Sequence, residues 1–160
     1  VPHLLFTDKE LIDFDANFKI IPPLRTDTDK NSLREGLLDG TIDMITSMHQ
    51  PINPELKDLD FVQSEPGSIG LEACFVVLQD KFPIEKIISF LTRGKKRFGI
   101  EDYNFKLNTP ADLTLFTPKG NGIFSDKNIH SSNKNCMFLG MPIKGKVYGC
   151  IREDKVLLNA

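Results

Sequence analysis

The sequence predicts an α/β fold, and three observations predict it. A capped helical pattern from Thr26 to Asp39 is stopped by Gly40 and followed at once by a β-rich run, Ile42 to Thr46. Beyond Gly99 the spacing changes from helical to alternating, as in Asp112-Leu-Thr-Leu-Phe-Thr-Pro118. The composition, 40% hydrophobic and 26% charged over 160 residues, is that of a globular chain long enough to bury a core. A helix leading directly into a strand belongs to the repeat that lays strands parallel and buries both their faces.

His3 to Thr7 is a short apolar run, expected as a strand and ended by Asp8-Lys-Glu10. Leu11 to Ile21 has no clean period and finishes at Pro22-Pro23, whose rings bar a helix before them, so an irregular loop is expected. Thr26 or Asp27 caps the next helix, acids crowd its first turn, and Leu33, Leu37 and Leu38 form its stripe. Gly40 supplies the left-handed residue that closes it. Residues 53–67 read as a polar loop, with turns at Asn53-Pro54 and Pro66-Gly67.

Ile69, Ala73, Val76 and Val77 fit one face of a helix ending near Gln79-Asp80. Pro83 suits a helix start, with Ile84, Ile87, Ile88 and Leu91 as the next stripe. The basic run Arg93, Lys95, Lys96 and Arg97 around Gly94 is weighed as an anion site against a solvated helix end, and the second is favoured. In the strand at 112–118, Leu113 and Leu115 are expected on one face against Thr114 and Phe116. Gly145 to Ile151 and Lys155 to Leu158, joined at Arg152-Glu-Asp154, read as a hairpin. Between these strands Gly120 to Met141 reads as an ordered surface excursion, anchored by Ile123, Phe124, Met137 and Phe138.

A net charge of -2 argues against a nucleic-acid surface. No apolar run approaches the ~18 residues of a membrane span, and Val1-Pro-His3 lacks the order of a signal peptide. A cytoplasmic setting is therefore expected, with neither nucleic acid nor membrane as partner. Cys74, Cys136 and Cys150 are odd in number, far apart and without a C-x-x-C pair, which predicts reduced thiols used for packing.

Six segments, in order, carry a family resemblance. They are Val1-Pro-His-Leu-Leu-Phe-Thr-Asp8, Ile20-Ile-Pro-Pro-Leu-Arg25, Glu35 to Met44, Gly70-Leu-Glu72, Ala111 to Thr117 and Lys144-Gly-Lys-Val147. They look like the H-H-L-L-x-T-D, N-P-P-L-R, E-G-L-x-D-G-T-I-D, G-L-E, A-D-L-T-L-F and K-G-K-V segments of the dihydroorotase branch of the amidohydrolase superfamily. The resemblance implies the C-terminal part of a (β/α)8 TIM-type barrel, its last two strand-helix units, followed by strands of a small β-sandwich. A complete barrel of this kind needs roughly 250 residues. The implied division is residues 1–104 for the barrel part and 105–160 for the sandwich strands.

Against that family the chain departs where chemistry is done. The family's barrel strand ends in D-H-A-P-H, and the resemblance gives its Asp the roles of zinc ligand and proton-transferring base. Here the run is Met48-His49-Gln50-Pro51-Ile52. A thioether takes no proton near neutral pH and is a soft ligand, poorly matched to a hydroxide-bridged zinc pair. Ile52 stands where the resemblance places the substrate-holding His, and Ile21, read as an apolar residue packed under its loop, stands where it places a substrate-binding Asn. Glu65-Pro66-Gly67 replaces P-F-G, whose backbone would donate to the substrate carboxylate; Pro66 has no N–H and Glu65 would repel that anion. No catalytic residue and no metal ligand is therefore assigned in this chain. His3 matches a His that the resemblance does not make a zinc ligand, His49 follows the replaced Asp, and His130 has no acidic or Cys partner in ligand spacing, so all three read as structural or solvated. Zinc is expected only if an upstream half keeps its ligands.

Two functions follow. One is a dihydroorotase-like protein without catalysis, acting as a structural or assembly partner; silent relatives of the family hold aspartate transcarbamoylase assemblies together, which makes that enzyme the first partner to test. The other is an active metal-dependent cyclic-amide hydrolase of the pyrimidine-biosynthesis type, its metal site upstream. That reading needs another base, and Glu55, Asp58 and Asp60 are the loop acids on offer. The inward faces of Leu5, Ile42 and Met44 and the open strand edges require an upstream half, a second copy or a rearranged sheet to cover them.

Overall fold

The structure, a computed structural model, describes residues 1–100 and 106–159. Its first half is a stack of short helices and ordered loops. These are α1 (Pro2–Leu5), α2 (Asp27–Asp39), α3 (Pro54–Lys57), α4 (Cys74–Leu78), α5 (Ile84–Thr92) and α6 (Gly94–Arg97). Its second half is one antiparallel sheet, β1 (Asp112–Ile123), β2 (Pro142–Arg152) and β3 (Lys155–Leu158), in the order β1-β2-β3.

Helix α2 forms as its sequence dictates. Thr26 Oγ1 accepts from the Asp29 N–H at 3.3 Å while the Asp29 carboxylate accepts from the Thr26 N–H at 3.1 Å, a reciprocal cap. Gly40, at φ 90°, ends it in the left-handed conformation. Leu37 is buried, and Arg34 donates to the Leu4 carbonyl, tying α2 to α1.

Both expected barrel strands are absent from the described residues. The run at His3 to Thr7 begins instead as α1, with Pro2 setting the first turn and the Phe6 N–H returning to the Pro2 carbonyl at 2.9 Å. Ile42 to Thr46 is extended without a ladder: the Ile45 N–H bonds the Phe90 carbonyl of α5, and the nearest strand-like contact is one parallel bridge, His49 to Ser68. The physical reason is common to both. A strand is completed by a neighbour, and none of the described residues supplies one, so each run takes local or helix-borne partners. Leu5 and Ile42 pack against the core, half-buried.

The helix expected from Ile69 is shorter, starting at Cys74, although Ile69, Ala73, Val76 and Val77 are buried as its stripe requires. Pro83 caps α5 as expected, with Ile87 and Phe90 fully buried.

In the sheet, a register shift between Leu115 and Phe116 corrects the expected alternation. The extra residue is Tyr148 of β2; across from it Phe116 turns inward beside Leu113, where its ring meets Phe75 edge-on at 4.9 Å, and Leu115 is left exposed. The hairpin of β2 and β3 is present, pairing Cys150 with Leu157. Gln79 donates to the Lys144 carbonyl at 2.6 Å and docks β2 onto α4.

The excursion between β1 and β2 reaches back into the first half. Phe124, Ile129, Met137 and Phe138 join the main core, and Phe138 lies 5.6 Å from the Phe6 ring, which itself packs edge-on against Phe18. Ile123, expected among these anchors, is exposed, because β1 runs through it and places it beyond the core. Cys74 and Cys136 are buried free thiols; Cys150, expected to pack, is exposed on β2. No helix among the described residues is long and apolar enough to cross a membrane.

Candidate functional site

The positions singled out in the sequence lie on three loops that the fold stitches together: 19–22, 47–52 and 64–70. Ile20 is buried, and its neighbours in the first loop turn their polar atoms toward the third. The Lys19 carbonyl accepts from the Gly67 N–H at 2.8 Å, and the Lys19 ammonium donates to the carbonyls of Phe61, Val62 and Ser64. The second and third loops meet through the His49–Ser68 bridge, the Gln50 N–H donating to the Ser68 carbonyl at 2.9 Å.

Asn135, on the excursion, locks this arrangement. Its Nδ2 donates to the carbonyls of Gln50 at 3.0 Å and Gly67 at 3.2 Å, while its Oδ1 accepts from the Ile52 N–H at 3.1 Å. Its backbone carbonyl takes the Ile69 N–H, and Ser68 Oγ accepts from the Met137 N–H. Asn135 is itself buried, so these bonds form out of water, where an unmade one is costly.

Within this frame each sequence-predicted position has a definite state. Met48 is half-buried against the core and holds φ 55°, a left-handed backbone that a bulky residue avoids. Ile52 packs its side chain over Gly67, so closely that a Cβ on the glycine would fall 2.7 Å from Ile52 Cγ1. Gly67 spends its N–H on Lys19, and Pro66 has none to offer. Ile21 precedes a cis bond to Pro22 and is 65% exposed, which corrects the expectation that it packs under its loop; the buried residue there is Ile20. His49 Nδ1 lies 3.4 Å and 3.3 Å from the N–H groups of Gly70 and Leu71, so that nitrogen accepts and the ring proton sits on Nε2. His3 Nε2 lies 2.9 Å from the Pro22 carbonyl, and His130 is exposed. Glu55, Asp58 and Asp60 all lie on the exposed side of the third loop's approach.

The charges nearby are committed to structure. Glu72 accepts from both the Ser131 N–H and hydroxyl; burial works against its ionisation, but those bonds hold it below the usual carboxylate range. Lys57 is buried and donates to the carbonyls of Lys19 and Glu65; burial, and then the neighbouring Lys19 charge, bring its pKa down to about 8. Burial pushes the Cys74 and Cys136 thiols up to about 11, which keeps them protonated and inert. Among the described residues no group of three or more His, Cys, Asp or Glu could hold a metal ion. The donors at the Met48 turn are a thioether and an imidazole nitrogen already engaged by two backbone N–H groups, a set that does not fit zinc.

Sequence reasoning missed Asn135, Lys19 and Lys57. Each acts on backbone atoms that are distant along the chain, and a polar residue in a polar loop carries no pattern to announce that.

The dihydroorotase of Desulforapulum autotrophicum is 33% identical over 162 residues, a match that covers 98% of this chain. That of Caldicellulosiruptor saccharolyticus is 34% identical over 164 residues. The chain belongs to the dihydroorotase family of amidohydrolases. It spans about 38% of the length of these curated relatives. No protein-family model matches it. Among solved structures, the D-hydantoinase (dihydropyrimidinase) of Thermus sp. superposes with a TM-score of 0.82 at 22% identity, covering 99% of this chain and 38% of that one. The inactive dihydroorotase-like domain of the Chaetomium thermophilum CAD-like multifunctional protein superposes with a TM-score of 0.59 at 17% identity, covering 98% of this chain and 41% of that one. These likenesses establish the fold as the C-terminal part of an amidohydrolase barrel with its attached small sheet.

Proposed function

We propose that this chain is part of a dihydroorotase-like protein that has lost catalysis and acts as a structural or assembly partner. The observation that carries the proposal is Met48. The resemblance places the family's ligand and base at this residue, and a thioether there neither accepts a proton nor suits a hydroxide-bridged zinc. Three further features support it. Ile52 and Ile21 offer no hydrogen bond to a substrate, and the Gly67 N–H is already bonded to the Lys19 carbonyl. The frame that would hold the site survives, pinned by Asn135, while the groups that would do chemistry do not.

The proposal includes the division of the chain near residue 104, a cytoplasmic setting, and association with the protein's own N-terminal half or with further copies. Aspartate transcarbamoylase is the first separate partner to test, and one of the structural neighbours is an inactive dihydroorotase-like domain of a multifunctional protein. The second reading is an active cyclic-amide hydrolase whose metal site lies outside this chain; what favours it is that the curated relatives matching this span are named dihydroorotase.

Titration calorimetry of the intact protein with aspartate transcarbamoylase, alongside elemental analysis for zinc, tests the proposal. Saturable binding without stoichiometric zinc is expected. Absence of binding together with one retained equivalent of zinc would favour the hydrolase and remove the assembly reading.

A further inference from the structure

Two neighbouring loops present an acidic and aromatic surface that none of the described elements covers. Phe14 holds φ 53°, a left-handed backbone unusual for a bulky side chain, and its ring is 68% exposed while its edge meets Phe61 at 5.8 Å. Ile12 and Val62, close in sequence to the two rings, are also exposed, Val62 at 85%. Solitary exposed apolar residues need no explanation, but a contiguous apolar group rimmed by charge is what an interaction surface looks like.

The rim is predominantly acidic. Residues 10–18 contribute Glu10, Asp13 and Asp15, residues 58–66 contribute Asp58, Asp60 and Glu65, and neither segment contains a Lys or Arg. The lysines that adjoin this face each have their ammonium engaged, Lys9 with Asp27 and Lys19 over the Phe61 ring at 5.5 Å. Lys19 donates to three backbone carbonyls of the 61–64 turn, and Lys57 is buried on the carbonyls of Lys19 and Glu65.

The complementary chemistry occurs on the same molecule. Residues 93–100 carry Arg93, Lys95, Lys96 and Arg97 with no acid, and end in two exposed apolar side chains, Phe98 at 68% and Ile100. Lys95 is engaged with Asp112, while Lys96 and Arg97 are exposed beside Phe98. A basic run ending in an aromatic anchor matches an aromatic pair set in an acidic rim in both sign and kind. We infer that the Phe14–Phe61 surface docks the 93–100 segment of a second copy, a head-to-tail contact between unlike surfaces. Such a contact builds a closed ring or an open chain rather than a two-fold dimer. The inference goes beyond the proposed function, since it fixes which surfaces meet and does not depend on whether the protein is catalytic.

Light scattering on the intact protein at ~20 mM and ~500 mM salt tests it, since screening at high salt shortens the reach of exposed charges to a few ångström. The weight-average mass is expected to exceed the protomer mass at low salt and to fall toward it at high salt. Two double variants, Phe14→Ser with Val62→Ser and Lys96→Glu with Arg97→Glu, should each remain folded by circular dichroism and lose the low-salt association. The charge-reversed pair Asp58→Lys with Asp60→Lys should also lose it, and should co-associate when mixed with the Lys96→Glu and Arg97→Glu protein. A merely destabilising change would not restore association on mixing. A mass that ignores salt, or association that survives both double variants, would overturn the inference, as would binding of the patch by a different partner with the intact protein itself monomeric.

Discussion

Truncating Asn135 to alanine would strand three backbone groups at once: the carbonyls of Gln50 and Gly67 and the N–H of Ile52. Buried groups left without partners cost free energy individually, so a loss of about 2–4 kcal/mol is expected. Urea denaturation checks this, and a change below ~0.5 kcal/mol would mean that water reaches the loops. At this scale the site was half legible. The side chains at Met48, Ile52, Ile21 and Pro66 could be compared with a family pattern, because identity at a position is written in the chain. Their environments could not. Ile21 is exposed where packing was expected, and Asn135 gives no local sign of bonds that span 68 to 85 residues.

Elements follow the same division between local and distant causes. The cap at Thr26 and Asp29, the stop at Gly40 and the start at Pro83 all act within a few residues, and α2 and α5 stand where the pattern puts them. The strands expected at 3–7 and 42–46 depended on neighbours that the described residues do not provide, so they became a helical turn and an extended segment. The inward turn of Phe116 likewise depends on β2, whose Tyr148 is the extra residue opposite it. The lysine clamp of the third loop makes a pH-dependent prediction. Lys57 has a folded pKa of about 8 against 10.5 when unperturbed. Between these values the unfolded chain holds a proton that the folded chain has released, so this group's contribution raises stability as the pH climbs from about 8 to 10.5. Urea midpoints measured across that window should rise more in the native protein than in Lys57→Met. Equal slopes would show that the buried ammonium is solvated.

The whole molecule exposes 10397 Å², whereas a compact monomer of 18.0 kDa exposes about 8,000 Å². Part of the exposed apolar surface lies on the sheet, where Val156, Leu157 and Leu158 of β3 are all exposed along an edge that pairs with no further strand among the described residues. The 160-residue chain made alone is therefore expected to associate through this sheet, and a monodisperse 18.0 kDa species with a cooperative melt would show that it closes its own core. Restoring the missing groups is a separate matter: Met48→Asp, Ile52→His and Ile21→Asn together are the smallest set that addresses base, ligand and substrate contacts. The account stands most directly on one assay, the hydrolysis of dihydroorotate by the unmutated intact protein with zinc supplied. No turnover above the uncatalysed rate is predicted, and turnover of ~1 s⁻¹ or more would contradict the loss of catalysis argued from Met48.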